Sequence, residues 1–245
     1  MKPHLPFKQD LFAQEPERLV RNLFRTCGFS LLELLVVISI IGIIAAFTLP
    51  SASAVLWGSQ LTQGAQMLND QLVLARQTAL TKNHCVEVRI YQFSDPGIPG
   101  EQAGNANAGK YRALQIFDIP NSGAAVPLGK VEHLPESIII DSGNIDSNKT
   151  LSSIISSGKQ SDVPTSSDGN TLQIPIPKVA KAYNSVSFRF EPDGSTNLLL
   201  SSTPGTNWFL TLHKQNDGDG LQTPPPNFIT IQIDPYNGHV RTYRP

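Results

Sequence analysis

Few residues of this 245-residue chain stand at spacings that do chemistry. The histidines His4, His84, His133, His213 and His239 are scattered, and none forms the His-x-x-x-His or Cys-His spacing that brings two ligands to one metal. There is no nucleophile elbow and no phosphate loop. Asp217 and Asp219, flanked by glycines, pair two carboxylates on a turn, which suits a hard cation. That loop is too short for an EF-hand and lacks its distal glutamate, so the expectation is a solvated turn rather than a calcium site. One other charged residue is conspicuous by its surroundings. Glu33 stands near the start of an apolar run in which no charge follows from Leu34 to Leu49.

That run is the element that positions Glu33. Counted from Phe29, about 21 residues precede Pro50, and at ~1.5 Å per residue a helix of that length spans ~30 Å, the thickness of a bilayer core. Inside lipid the backbone must satisfy its own hydrogen bonds, which makes helix the expected conformation. A carboxylate in hydrocarbon costs a few kcal/mol unless it is neutralised, paired or close to the interface. Two readings follow: Glu33 lies at headgroup level, or it awaits a positive partner that arrives on assembly.

The stretch Gly28-Phe29-Ser30-Leu31-Leu32-Glu33 and the Leu-Leu-Val-Val-Ile-Ser-Ile-Ile-Gly-Ile-Ile-Ala behind it resembles the signal of type IV prepilins and type II secretion pseudopilins. The resemblance implies a prepilin peptidase that cuts between Gly28 and Phe29 and methylates the new amine of Phe29. It implies that Glu33 neutralises the N-terminal amine of a neighbouring subunit in a filament. It also implies that Gly42 and Pro50 are places where the helix loosens or kinks.

Met1 to Cys27 then reads as a leader, with Gly28 its last residue. Lys2, Lys8, Arg18, Arg21 and Arg25 outnumber Asp10, Glu15 and Glu17, and beyond the run the first charge is Asp70. By the positive-inside rule the N-terminus stays cytoplasmic and the C-terminal bulk lies outside, as a single-pass protein of the inner membrane. A rival reading takes Ala52-Ser53-Ala54 as the cleavage site of a conventional secretory signal, which would release a soluble protein starting near Val55.

Pro50 lacks an amide hydrogen and crowds the carbonyl of Ala46, so it kinks or ends a helix. Helix is expected to resume from about Ser51 to Lys82. Leu61, Ala65, Leu68, Leu72, Ala75 and Ala79 recur at spacings of four and three, one apolar face, while glutamines supply much of the polar side. Arg76 reads as a solvated helix residue. Cys85 to Phe93 alternates as a half-buried strand, with Glu87, Arg89 and Tyr91 on the polar side. Tyr111–Ile119 follows a long loop at 94–109. Short strands are expected at Gly129–Val131 and Ser137–Ile140. Residues 141–170, rich in Ser, Gly and Asn, read as an insertion of low order, with Leu151, Ile154 and Ile155 as one short helix. Leu172–Ile176 reads as extended. Val186–Phe190, Asn197–Leu200, Trp208–His213, Phe228–Ile233 and Val240–Tyr243 complete the expected strands.

The fold class is therefore α+β: a long N-terminal helix, spanning the membrane over 29–50 and amphipathic over 51–84, packed on an antiparallel β-rich head over 85–245. The Ala75-Arg76-x-x-Ala79 stretch, the turn Pro192-Asp193-Gly194 and the close Asp234-Pro235-Tyr236-Asn237-Gly238 resemble minor pseudopilins of the GspH/FimT kind. The closing Arg-Thr-Tyr-Arg-Pro is most similar to the Verru_Chthon cassette protein D group.

Net charge is −1, and with the leader's +2 removed it is −3. No basic stripe points to nucleic acid. Cys27 leaves with the leader, so Cys85 has no intramolecular partner and reads as a small core residue. No cofactor or metal is expected. The resemblance implies a non-enzymatic structural subunit of a pilus or secretion filament, whose partners are the prepilin peptidase, other pilin subunits and the inner membrane. The competing class is an anchored or secreted binding module presenting the loops at 94–109 and 141–170.

Overall fold

The computed structural model describes residues 29–95, 97–98, 101, 109–121, 123–143, 150–157, 183–198 and 207–245, and for 48–54 the backbone alone. The leader, the centre of the 94–109 loop and the expected extended stretch Leu172–Ile176 lie outside the described residues. Two compact units divide the chain, Met1–Ser51 and Ala52–Pro245.

Helix α1 is assigned over Leu31–Lys82 and includes Gly42 and Pro50. Within the first unit its side chains from Leu31 to Val37 range from 87% to 41% exposed. Among the described residues no helix is long and apolar enough to cross a membrane.

In the second unit the helical stripe read from spacing is the core. Leu61, Ala65, Leu68, Leu72, Ala75 and Ala79 are 3% exposed or less. Small alanines alternate with leucines along the stripe, which lets the helix lie close to a sheet. The helix stops at Lys82 because Asn83 turns left-handed, with φ 54°.

Among the described residues the sheet is nine-stranded and antiparallel. Its strands are β1 (Cys85–Phe93), β2 (Lys110–Ile119), β3 (Val126–Pro127), β4 (Glu132–His133), β5 (Ile138–Ile140), β6 (Asn184–Phe190), β7 (Trp208–Lys214), β8 (Phe228–Ile233) and β9 (Val240–Tyr243). The order is β6-β1-β2-β5-β7-β8-β9, and the second edge of β2 is shared by β3, β4 and β5 in succession. One face carries Val86, Val88, Ile90, Leu114, Ile116, Phe188, Leu210, Leu212, Ile229 and Ile231 into the same core as the helical stripe. Strict alternation along β8, buried at Ile229, Ile231 and Ile233, follows from the two-residue period of a strand.

Three expectations need correction. The strand expected at Gly129–Val131 is absent; β3 and β4 lie on either side of it, because Gly129 and Val131 serve the other face instead. The Gly129 carbonyl accepts from Gln115 Nε2 at 2.9 Å, and Val131 packs on Tyr91, Phe93 and Ala113. The strand expected at Asn197–Leu200 is no strand at its described residues; a single bridge joins Phe190 to Thr196, and Asn197 Oδ1 accepts the Arg189 amide at 2.8 Å. Residues 199–200 lie outside the described set.

The third correction concerns β1, which is not half-buried. Glu87 is 0% and Arg89 3% exposed. They are tolerated inside because each charge is answered. Glu87 accepts from Arg89 Nε at 2.5 Å and from Arg189 Nε at 3.1 Å, and the Arg89 guanidinium lies 4.2 Å over the Phe117 ring.

Part of the expected low-order insertion is structural. Because β5 has only three residues, it pairs with Leu212, His213 and Lys214 and leaves the rest of that edge of β7 without a strand. The short helix α2 (Ser153–Ser156) supplies partners from side chains: Ser153 Oγ accepts the Phe209 amide at 2.9 Å and Ser152 Oγ accepts the Thr211 amide at 3.1 Å. Ile154 and Ile155 are buried in the main core.

The helical stripe is the face that α1 buries in the core of the head. Leu72→Ala is expected to cost about 2–5 kcal/mol of stability, measured by denaturant unfolding of the full chain in detergent. Gln66→Ala, on the exposed side, is expected to change it by less than about 0.5 kcal/mol. Equal effects would refute the packing described.

Candidate functional site

The residues singled out for assembly lie at the start of α1. Gly28 is outside the described residues. Phe29 is 73% exposed. Ser30 opens the helix as its cap: its Oγ accepts the Leu32 amide at 3.3 Å and its carbonyl the Leu34 amide at 3.1 Å. Glu33 falls in the first helical turn and is exposed, where a carboxylate also meets the positive end of the helix dipole. It lies four positions after Phe29, a little over one turn. Gly42 lies within α1, and a methyl added there would meet no atom within 4 Å. The α1 assignment contains Pro50, whose side chain is outside the described set.

Arg76 is not the solvated residue expected. It is half-buried, and its Nε donates to the carbonyl of Asn237 at 2.8 Å, across 161 residues of sequence. It holds the last hairpin turn to the helix. That turn is built by its own sequence: Asp234 Oδ1 accepts the Tyr236 amide at 2.9 Å, Asn237 Oδ1 accepts the His239 amide at 2.8 Å, and the Asp234 carbonyl accepts the Gly238 amide at 2.8 Å. Gly238 is left-handed at φ 63°, and a methyl there would strike the Gly194 carbonyl oxygen and the Phe190 ring. The Pro192-Asp193-Gly194 turn is therefore stacked on the closing turn, and Thr196 fastens them by donating its amide to Pro235 O at 2.9 Å. The motifs that carried the GspH/FimT resemblance meet at one place on the head.

Cys85 is half-buried and donates its Sγ–H to Glu191 Oε2 at 3.0 Å. Burial, then the Glu191 carboxylate, pushes the thiol up to about 11. It is a protonated packing group, without the thiolate a nucleophile needs.

The turn at Asp217 and Asp219 is solvated as expected at only one of its two carboxylates. Asp217 is exposed, at the end of a 3₁₀ turn over Gln215–Asp217. Asp219 is anchored rather than solvated: Lys110 Nζ lies 3.0 Å from its Oδ2, and its Oδ1 accepts the amides of Ser142 at 2.8 Å and Gly220 at 2.9 Å. The Lys110 ammonium stands where a cation would sit. Among the described residues no group of three or more His, Cys, Asp and Glu side chains is arranged to hold a metal ion.

Sequence reasoning missed Asp141 and His213, both 0% exposed and bonded through His213 Nε2 and Asp141 Oδ2 at 3.1 Å. An aspartate directly after the apolar Ile138-Ile139-Ile140, and a histidine on the same face of β7 as the buried Thr211, were the available signals. Sequence alone does not say that β5 and β7 are neighbours.

A head of antiparallel strands wrapped on the second half of a long helix, whose first half shows apolar side chains to its surroundings, is a pilin-like architecture. Residues 23–49 match the model of the prokaryotic N-terminal methylation motif. A type IV major fimbrial protein FimA of Dichelobacter nodosus (strain VCS1703A) is 32% identical over 99 residues, 40% of this chain and 56% of that protein. A second FimA of Dichelobacter nodosus is 33% identical over 109 residues, covering 43% and 64%. A fimbrial protein of the same organism is 31% identical over 105 residues, covering 42% and 61%. The match thus spans between half and two thirds of these relatives. No solved structure matches. The chain thus carries a prepilin-type methylation motif and is similar, over about two fifths of its length, to type IV fimbrial proteins.

Arg76→Ala is expected to lower the stability of the head by about 1.5–3 kcal/mol, the range for a hydrogen bond involving a charged group. Arg76→Lys is expected to be no better, because the Nε–H is what the Asn237 carbonyl accepts. Thermal unfolding of both variants decides it: full recovery with lysine would mean that charge, and not this bond, matters.

Proposed function

We propose that this protein is a minor pseudopilin-like structural subunit, cut by a prepilin peptidase after Gly28 and assembled through α1 into a type IV pilus or a type II secretion-like filament. The observation that carries this reading is the match of residues 23–49 to the methylation motif, with Gly28-Phe29 and Glu33 within it. The named relatives are fimbrial proteins, which supports a structural role over a catalytic one.

In this reading 1–28 is a leader, 29–50 first anchors the subunit in the inner membrane, 51–84 carries the helix into the head, and 85–245 is the head on the far side of the membrane. Leu31, Leu32, Ile38, Ile43 and Ile44 are each more than half exposed in the single chain. A continuous apolar helix surface of this kind is stable only when covered. Lipid covers it before assembly and neighbouring helices afterwards, so extraction from the membrane does not expose it to water. Gly42 and Pro50 are the points at which the helix yields as it repacks.

Glu33 supplies register. In a low-dielectric bundle a carboxylate about 4 Å from a methylated amine gains about 4 kcal/mol at an effective dielectric of 20, part of which offsets desolvation. The amine of Phe29 on a neighbouring subunit is the cation within reach of the first helical turn. The same charge costs little at headgroup level before assembly.

Glu33→Gln and Glu33→Ala are expected to insert into the membrane and lose the leader normally. Their incorporation into filaments is expected to fall at least tenfold, read by immunoblot of the sheared or pelleted filament fraction against the membrane fraction. Normal incorporation of either variant would remove the role assigned to Glu33.

A further inference from the structure

His213 (on β7) and Asp141 (directly after β5) form a fully buried pair whose geometry constrains the proton count. His213 Nε2 lies 3.1 Å from Asp141 Oδ2, and His213 Nδ1 lies 2.9 Å from the carbonyl oxygen of Lys214. Both ring nitrogens therefore face oxygens that only accept. A neutral imidazole carries one N–H and would set a lone pair against one of these oxygens; the doubly protonated ring satisfies both. With both side chains 0% exposed, water is not there to take up the mismatch.

The same carboxylate holds a loop. Asp141 Oδ2 also accepts the Leu221 amide at 3.1 Å, while its Oδ1 accepts the Gly143 amide at 2.8 Å. From the other side Asp219 Oδ1 accepts the Ser142 amide, and Lys110 on β2 neutralises Asp219. Residues 219–221 are thus pinned to the end of the sheet through two carboxylates.

We propose that the His213 imidazolium is a proton-operated latch, which holds the 219–221 loop on the head through Asp141 when charged and releases it when the proton is lost.

The charged and titratable groups around the ring agree with this assignment. Asp141 faces it from the end of β5 and Asp219 from the loop. Lys110 reaches it only through Asp219. Tyr111, on β2, is pushed up to about 12 by burial and stays neutral. The strand partners of His213 in register are Ile139 and Phe228, which carry no charge. Burial alone would lower the ring's pKa, but the Asp141 bond, the Lys214 carbonyl and the two carboxylates raise it above the ordinary 6.5. Burial alone would raise the Asp141 carboxyl, but the bonds from His213, Leu221 and Gly143 hold it below 3.8.

The signs define a window. His213, raised on folding, contributes fully below 6.5, and its contribution is lost as pH rises through its folded value. Asp141, depressed on folding, contributes above 3.8 and is lost as pH falls through its folded value. The latch is closed between these limits and opens on the alkaline side.

The test uses the full chain in detergent, labelled with ¹⁵N. Ring nitrogen shifts of His213 are followed from pH 5 to 9 beside the protection factor of the Leu221 amide. Both ring nitrogens are expected to be protonated at pH 6.5, and Leu221 protection is expected to fall as the ring titrates. The fall is tenfold for each unit by which the ring exceeds 6.5. In His213→Gln, Leu221 protection is expected to be lower at pH 6 and to lose its step. A neutral ring at pH 6.5, or a protection step that survives in His213→Gln, would overturn the proposal. If His213→Gln fails to fold, the wild-type titration still decides: ring and Leu221 midpoints that differ would refute the latch.

Discussion

The constraint on which the head depends is the burial of one helical stripe. Leu61, Ala65, Leu68, Leu72, Ala75 and Ala79 cannot meet water together, and a single antiparallel sheet face is wide enough to cover them. The other features of the head accommodate that contact. The closing turns are fastened back to the helix at Arg76. Lys82 is tied to Asp118 at the helix exit, with Nζ and Oδ2 2.8 Å apart. The short β5 completes the sheet near Gly64. A methyl added at Gly64 would lie within 3.5 Å of Leu134, Pro135 and Ile138, and a larger residue would have to push them aside.

The price of closing this sheet is polar burial, and the chain meets it with local pairs. β1 and β6 share Glu87 between Arg89 and Arg189, while β5, β7 and the 219–221 loop share Asp141 and Asp219. A bulge opposite Tyr91 and Gln92 leaves Arg112 outside the β1–β2 register, and its guanidinium forks onto Glu101 at 2.7 and 2.5 Å. These pairs add to the register that the buried apolar face already imposes, since a one-residue slip would turn that face away from the core.

What was legible in the sequence follows from periodicity and turn chemistry. The helical stripe and the end of α1 at Lys82, the span Cys85–Phe93, and strands β8 and β9 are where spacing places them. Sequence alone could not reveal that the polar side of β1 is inside, because burial of Glu87 and Arg89 depends on partners from β6 and β2. It likewise read Arg76 as solvated, since Asn237 is 161 residues away. Ser152 and Ser153, within the stretch expected to be of low order, satisfy the open edge of β7, a role created by the shortness of β5. Of the residues proposed for assembly, the Phe29–Glu33 spacing was readable directly, because a local motif needs no tertiary partner to be recognised.

The head buries the apolar stripe of its own helix, whereas the apolar side chains in the first half of α1 are exposed in the single chain. The proposed assembly through α1 requires cleavage after Gly28, which would create the Phe29 amine that Glu33 is proposed to meet. That cleavage is tested most directly by intact mass and N-terminal sequencing of the protein recovered from its native membrane. The account predicts a chain that begins with N-methylated Phe29. A chain that begins near Val55, or one that retains Met1, would contradict it.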